Sequence, residues 1–278
     1  SSDPMTRYLV AESLVRDGDL AIEQSGLTVP GGPAPGDAER GPHYSVFFPG
    51  QTLVMLPAAA VAELARLVLG GPDMLWRAAG GFIAAVGIIP AFAGLAVLGH
   101  MALLRRLGVD ARTTCLAGLL VGLATAHWVW ASAASEEVIV GTLGTWALVA
   151  CLDGRRRLEA EPADPTRAAR LFGLAGLMMA VGLLHRGTFL PFVLAGAVLA
   201  VPAIVRSGPT IAGRLALRLA PWFVASVLVA GILPLYNWLR FADPLESGYG
   251  RFYAELGGLW ATPLLTGLRG HLISPGKS

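Results

Sequence analysis

Charge is scarce in this chain: Asp, Glu, Lys and Arg make up 14% of 278 residues, against about 25% in a soluble domain. Lysine is nearly absent, with Lys277 standing alone beside 20 arginines, and the formal net charge is only +2. So small an excess excludes a general polyanion binder. Two cysteines, Cys115 and Cys151, cannot make a disulfide framework and read as small apolar residues. The first residues, Ser1-Ser2-Asp3-Pro4, carry no initiator Met, basic n-region or apolar h-region. The start reads as internal, with a membrane-targeting helix expected upstream.

Apolar residues, in contrast, reach 54%, and the mean hydropathy is +0.61. The apolar runs are too long and too numerous for one water-soluble core, so the expected class is an all-α polytopic membrane protein. Residues 1–51 are polar, with seven acids against three arginines. A helix is expected from Met5 to Arg16, and Pro30-Gly-Gly-Pro-Ala-Pro-Gly36 reads as a loop that continues neither helix nor strand. Leu53–Leu69 is apolar but carries Glu63 and Arg66 one turn apart, which suits a helix lying in the membrane interface. About six transmembrane spans are expected, near 78–104, 113–131, 138–152, 171–185, 188–205 and 221–239. A crossing needs roughly 17–25 residues, so the third and fourth are short and must recruit flanking residues or sit where the bilayer thins. Read as one helix, 171–205 would run about 52 Å at 1.5 Å per residue. His185-Arg186-Gly187 and Pro191 break it into two.

Arginine placement orients the spans. Arg105, Arg106 and Arg112 form one cluster; Arg155, Arg156, Arg157, Arg167 and Arg170 a second; Arg206, Arg214 and Arg218 a third. All three fall on one side, which the positive-inside rule makes cytoplasmic. The expected organisation is an outer loop at 1–77 containing the interfacial helix 53–69, a bundle at 78–239 and an outer loop from 240 to 278. Trp128, Trp130 and Trp238 fall at outer helix ends, as an aromatic belt places them.

Polar residues without a simple solvation role collect on that outer face. Asp3 lies at the outer end of the expected upstream helix, Glu136 and Glu137 open a span, and His185 and Arg186 interrupt a hydrophobic stretch. An ionisable group near membrane depth is costly unless paired or facing water. For the two glutamates the plainer alternative is a helix N-terminus favouring carboxylates, worth about 0.3–1 kcal/mol. For His185 it is a hydrogen-bonded turn histidine, and for Arg186 a structural ion pair fits as well as an anion site. His100 and His127 read as packed side chains. The ending Gly270 to Ser278 has the wrong glycine spacing for a phosphate loop. No His/Cys cluster has metal-ligand spacing, no serine sits in a nucleophile elbow, and the basic clusters flank helices, so no nucleic-acid partner is expected.

Asp3-Pro-Met-Thr-Arg-Tyr-Leu9, with Glu12-Ser-Leu and Asp17-Gly-Asp-Leu20, resembles the first outer loop of GT-C membrane glycosyltransferases. The family includes bacterial relatives of protein O-mannosyltransferases and of aminoarabinose lipid A transferases. The likeness continues through Gly41-Pro-His-Tyr-Ser-Val-Phe-Phe-Pro-Gly50, Ser135-Glu136, Arg186, Tyr236-Asn-Trp-Leu-Arg240 onward to Tyr249, and Ser274-Pro-Gly-Lys277. It departs from the family at Pro4, where an Asp-Glu pair is often found, and in one extra residue between Asp3 and Arg7-Tyr8.

The resemblance implies an inverting transfer of a sugar from a polyprenyl-phosphate-linked donor to an acceptor glycan, lipid or protein. The reaction would take place at the outer face of the cytoplasmic membrane, among membrane lipids. It makes Asp3 the general base. Arg7, Tyr8, Tyr44, Glu136, Arg186, Tyr236, Asn237 and Arg240 become substrate-binding residues, with Arg186 or Arg240 on the departing phosphate. Glu136 is placed to orient the acceptor or to hold a divalent metal, and the residues leave open whether a metal is needed. A transporter or lipid-sugar flippase, or a non-catalytic envelope scaffold, are the rival readings.

Overall fold

The computed structural model describes residues 3–22, 28–31, 42–124, 136–186, 189–248 and 251–252, with side chains from Met5 onward. Helix dominates. The elements are α1 (Asp3–Arg16), β1 (Ala21–Ile22), β2 (Thr28–Pro30), β3 (His43–Ser45), α2 (Pro49–Leu69) and α3 (Asp73–Phe82). A π-helical turn (Ile83–Ile88) leads into α4 (Ile89–Arg106), followed by α5 (Ala111–Leu123), α6 (Glu136–Glu159), α7 (Pro165–His185), α8 (Leu190–Arg206) and α9 (Pro209–Phe241).

Among the described residues, five stretches are long and apolar enough to cross a membrane: α2, the continuous rod Asp73–Arg106, α6, α7 and α9. Helices α5 and α8 are shorter apolar helices. The break expected after His185 is present, with α7 ending there and α8 beginning at Leu190. The two stretches that looked short are completed by polar flanks. Helix α6 continues through Arg155–Arg157 to Glu159, and α7 starts at Pro165, where Asp164 caps it by accepting from Arg167 N at 3.0 Å. The rod around 78–104 is also longer than expected. Its π turn lies just before Pro90, a residue with no N–H to offer an α-helical ladder. The outer part of the expected span 113–131, with Trp128 and Trp130, lies outside the described residues.

Cross-helix contacts set the level of each helix against the next. Ile89 packs on Val138 and Ile139, Thr142 Oγ1 donates to Phe92 O at 2.8 Å, and Trp146 Nε1 donates to Leu95 O at 2.9 Å. At one end Arg106 meets Asp153 through two bonds of 2.8 Å, and Arg156 donates to the Arg106 carbonyl. Arg218 donates there to Thr166. The three arginine clusters are thereby tied together at one end of the bundle. From Asp153 back to Glu136 is about 25 Å of helix, and from Thr166 to His185 about 28 Å. That matches a hydrocarbon core of about 30 Å. Past Arg170, the last charge of the arginine tier on α7, helices α4 to α9 contain no Asp, Glu, Lys or Arg until the Glu136 tier. Close packing there relies on small residues. A Cβ on Gly173 would collide with Trp222, one on Gly154 would lie 2.9 Å from the Phe172 ring, and one on Gly182 would collide with Phe189.

Helices α1 and α2 and the three strands sit beyond the opposite tier. The strands form an antiparallel sheet in the order β1-β3-β2, with Ala21 opposite Tyr44 and Thr28 opposite Ser45. Pro30, read from sequence as the start of a loop, is the last residue of β2. It is tolerated because β2 is an edge strand. Tyr8, Ala11, Met55, Ala58, Ala59 and Ala84 make the core between α1, α2 and the rod. A consecutive glycine pair turns α2 into α3, with Gly70 at φ 68° and Gly71 at φ 101°, a region open to glycine at no steric cost. Glu63, Arg66, Asp73 and Arg16 then link α1, α2 and α3 at 2.7 to 3.7 Å.

Candidate functional site

Helices α6 and α7 run antiparallel, so the N-terminus of α6 adjoins the C-terminus of α7. Carboxylates suit the first and a cation the second. Glu136 and Glu137 occupy the first turn of α6, and Arg186 follows α7 with extended backbone (φ −163°, ψ 134°). Arg186 Nη1 pairs with Glu137 and lies 3.8 Å from Glu136 Oε1. From α1, Arg7 Nη1 lies 3.1 Å from Glu136 Oε2 and donates to Gln51 Oε1 in the first turn of α2. Thr52 Oγ1 donates to the Arg7 carbonyl at 3.4 Å, and the Arg7 guanidinium lies 4.0 Å from the centre of the Phe47 ring. Arg7 from α1 and Arg186 after α7 therefore converge on Glu136, and the start of α2 holds Arg7 from behind.

Burial divides this group. Arg7 and Glu136 are each 4% exposed, whereas the Arg186 side chain is 43% exposed. Arg186 thus faces outward, with Glu136 behind it. Arg7 Nε, Glu136 Oε2 and His185 Nε2 are enclosed without a hydrogen-bond partner among the described residues. His185, 1% exposed, is anchored through Nδ1 to Val181 O at 3.0 Å and packs against Gly50. Asp3 begins α1 one turn before Arg7, a spacing that stacks two positions on one helix face. The Asp3 side chain lies outside what the structure describes.

The other expected substrate residues separate from this group. Tyr8 is buried against α2 and the rod, its hydroxyl beside Gly80. Burial pushes its phenol up to about 12. Tyr44 sits in β3 with its ring edge-on to Phe241, centroids 6.1 Å apart, and burial raises its phenol as well. Arg240, expected as an open cation for a phosphate, is 1% exposed. It donates to Ser45 O, to Asn237 Oδ1 at 2.8 Å and to Tyr236 O at 3.3 Å. Its guanidinium lies 3.8 Å from the Tyr236 ring centre. These contacts tie the end of α9 to the sheet, and they correct the expectation for Arg240, because a phosphate could reach it only by unpacking them. Tyr236 and Asn237 belong to the same tie, Asn237 Nδ2 also donating to Pro244 O at 3.1 Å.

Sequence reasoning missed Gln51 and Phe47. The available signal was Gln51-Thr52 at the start of an otherwise apolar helix. Ser135, Gly187, Tyr249 and Ser274–Lys277 lie outside the described residues. Among the described residues, no three His, Cys, Asp or Glu side chains gather to hold a metal. Glu136 and Glu137 face guanidinium groups instead, an arrangement that does not fit a divalent cation.

The fold and its charged tiers define a multi-pass α-helical membrane protein. No protein-family model, no curated protein and no solved structure matches the chain.

Proposed function

We propose that the protein transfers a sugar from a polyprenyl-phosphate-linked donor to an acceptor at the outer membrane interface, as GT-C glycosyltransferases do. The observation that carries this reading is the convergence of Arg7 and Arg186 on Glu136, with Arg7 one helical turn after Asp3 on α1. In the reaction the acceptor hydroxyl gives its proton to the Asp3 carboxylate. Its oxygen bonds to the anomeric carbon, and the bond from that carbon to the phosphate oxygen breaks. Negative charge grows on the departing polyprenyl phosphate, where a fixed cation is most effective. Arg186, half-exposed at that edge, is placed for it. Glu136 holds both arginines and so positions them. Helix α2, though long enough to cross, lies with α1 beyond the outer tier in this reading. A transporter needs polar groups along its path near mid-membrane, and the absence of charge between the tiers weighs against that alternative.

The test is Asp3→Asn, which keeps shape but cannot take a proton. General-base catalysis contributes about 10²–10⁴-fold, so turnover of lipid-linked sugar by the whole protein in membranes should fall at least about 100-fold. Donor binding should hardly change. Near-normal turnover would remove Asp3 as the base.

A further inference from the structure

A cleft of about 150 Å³ opens on the far side of α1, lined by Leu9, Glu12, Ser13, Arg16, Ile22 and Arg77 among others. Glu12 lies about 140° around α1 from Arg7 and about 14 Å along it from Asp3, so the cleft is separate from the Glu136 group. Its charges are balanced and held in place. Arg77 donates to Glu12 through Nε, at 2.7 Å, and neither terminal NH₂ group hydrogen-bonds the same carboxylate. Arg16 is held by Asp73 at 2.7 Å, and Asp17 supplies a further carboxylate on the rim. Ser13 is already committed to Asp19 and to Ala21 O, at 2.5 and 2.8 Å, and this fixes the wall.

Among the lining residues, the guanidinium groups of Arg16 and Arg77 stand against the carboxylates of Glu12 and Asp17, which gives the wall itself no net sign with which to select an anion or a cation. They do leave rigid donors and acceptors side by side above apolar Leu9 and Ile22. Such a surface suits a sugar ring, whose hydroxyls both donate and accept and whose C–H face is apolar. In the glycosyltransferase reading the cleft also lies beyond the apolar layer. Arg77 is about 18 Å along the rod from Ile89, and Ile89 packs at the first turn of α6 where the apolar layer ends.

We propose that this cleft binds one ring of a neutral glycan chain, as a distal subsite for an extended acceptor. The acceptor role rests on the glycosyltransferase reading; the binding does not. The full chain in nanodiscs lacking lipid-linked donor, probed by saturation-transfer NMR with mannotetraose, maltotetraose and chitotetraose, should bind at least one of them saturably. Arg77→Gln, and Ala21→Leu, which fills the cleft, should each weaken binding about tenfold or more, since hydrogen bonds to charged groups contribute about 1.5–3 kcal/mol. Arg66→Gln, outside the cleft, and Asp3→Asn should leave it intact. Loss of turnover with binding retained in Asp3→Asn separates the two proposals. The subsite is overturned by no saturable signal with any of the three sugars, by binding that neither cleft variant alters, or by displacement of the sugar by phosphoethanolamine, which would make the cleft a headgroup site.

Discussion

Glu136 is the charge around which one end of the bundle is assembled. It is buried at 4% exposure between the guanidinium groups of Arg7 and Arg186. Removing one member of a buried pair leaves the other charge uncompensated, at a cost of about 3–5 kcal/mol. Glu136→Gln should therefore lower the unfolding midpoint of the purified protein well beyond Glu137→Gln, whose partner Arg186 is 43% exposed. Equal shifts for the two variants would contradict the burial assignment. Tyr8 gives a second expectation. Its phenol is raised by burial to about 12 from the ordinary 10.0, so the folded state resists ionisation that the unfolded chain accepts. That stabilisation is fully present below pH 10 and is lost as pH rises through about 12. Unfolding midpoints recorded from pH 8 upward should fall more steeply for the native chain than for Tyr8→Phe; parallel curves would show that Tyr8 is not shielded.

Among the elements, α2 draws its position from its first turn. A Cβ on Gly50 would collide with the His185 ring and lie 2.6 Å from the His185 backbone nitrogen. Backbone cannot give way as a flexible side-chain tip does, and overpacking costs about 1–3 kcal/mol. Gly50→Ala should lower the unfolding midpoint and, by shifting Gln51 and Arg7, reduce turnover more than Gly81→Ala, which meets open space. Equal effects would show that this contact does not set the site. The long apolar helices were legible in the sequence because hydropathy accumulates over some twenty residues. The polar ends of α6 and α7 were not, since charges such as Arg155–Arg157 and Arg167 end a hydropathy run without ending the helix. The sheet was illegible for a simpler reason: strands of two or three residues are too short to show a period. Glu136 and Arg186 stood out individually as charges near membrane depth, and Arg7 entered only through the resemblance, but their meeting, and Gln51 with them, depends on contacts across the fold that spacing does not encode.

At the scale of the whole molecule, the two tiers about 25–28 Å apart make sidedness the central question, and α2 is where it is decided. The arginine tier should face the cytoplasm, with α1, the sheet and the Glu136 group outside. In a background with Cys115→Ala and Cys151→Ala, single cysteines at Leu107 and Leu245, 63% and 89% exposed, report on opposite ends of the bundle. An impermeant thiol reagent on intact cells should label the cysteine at Leu245 and reach the one at Leu107 only after lysis. Cysteines at Asp17 and at Met74, which is 80% exposed, flank α2 on its two sides. If α2 stays outside, both label in intact cells. If α2 crosses, the two differ, and the ion pair of Arg16 with Asp73 at 2.7 Å cannot form in the membrane. That pair supplies the internal check: Arg16→Cys with Asp73→Cys should form a disulfide under mild oxidation only when both ends of α2 share a compartment. Labelling of Asp17 and Met74 from opposite sides would separate α1 from the start of the rod and break both the Arg7–Glu136 group and the cleft between α1 and Arg77. The helical bundle below them would remain as it is, with no outer site for a lipid-borne sugar to reach.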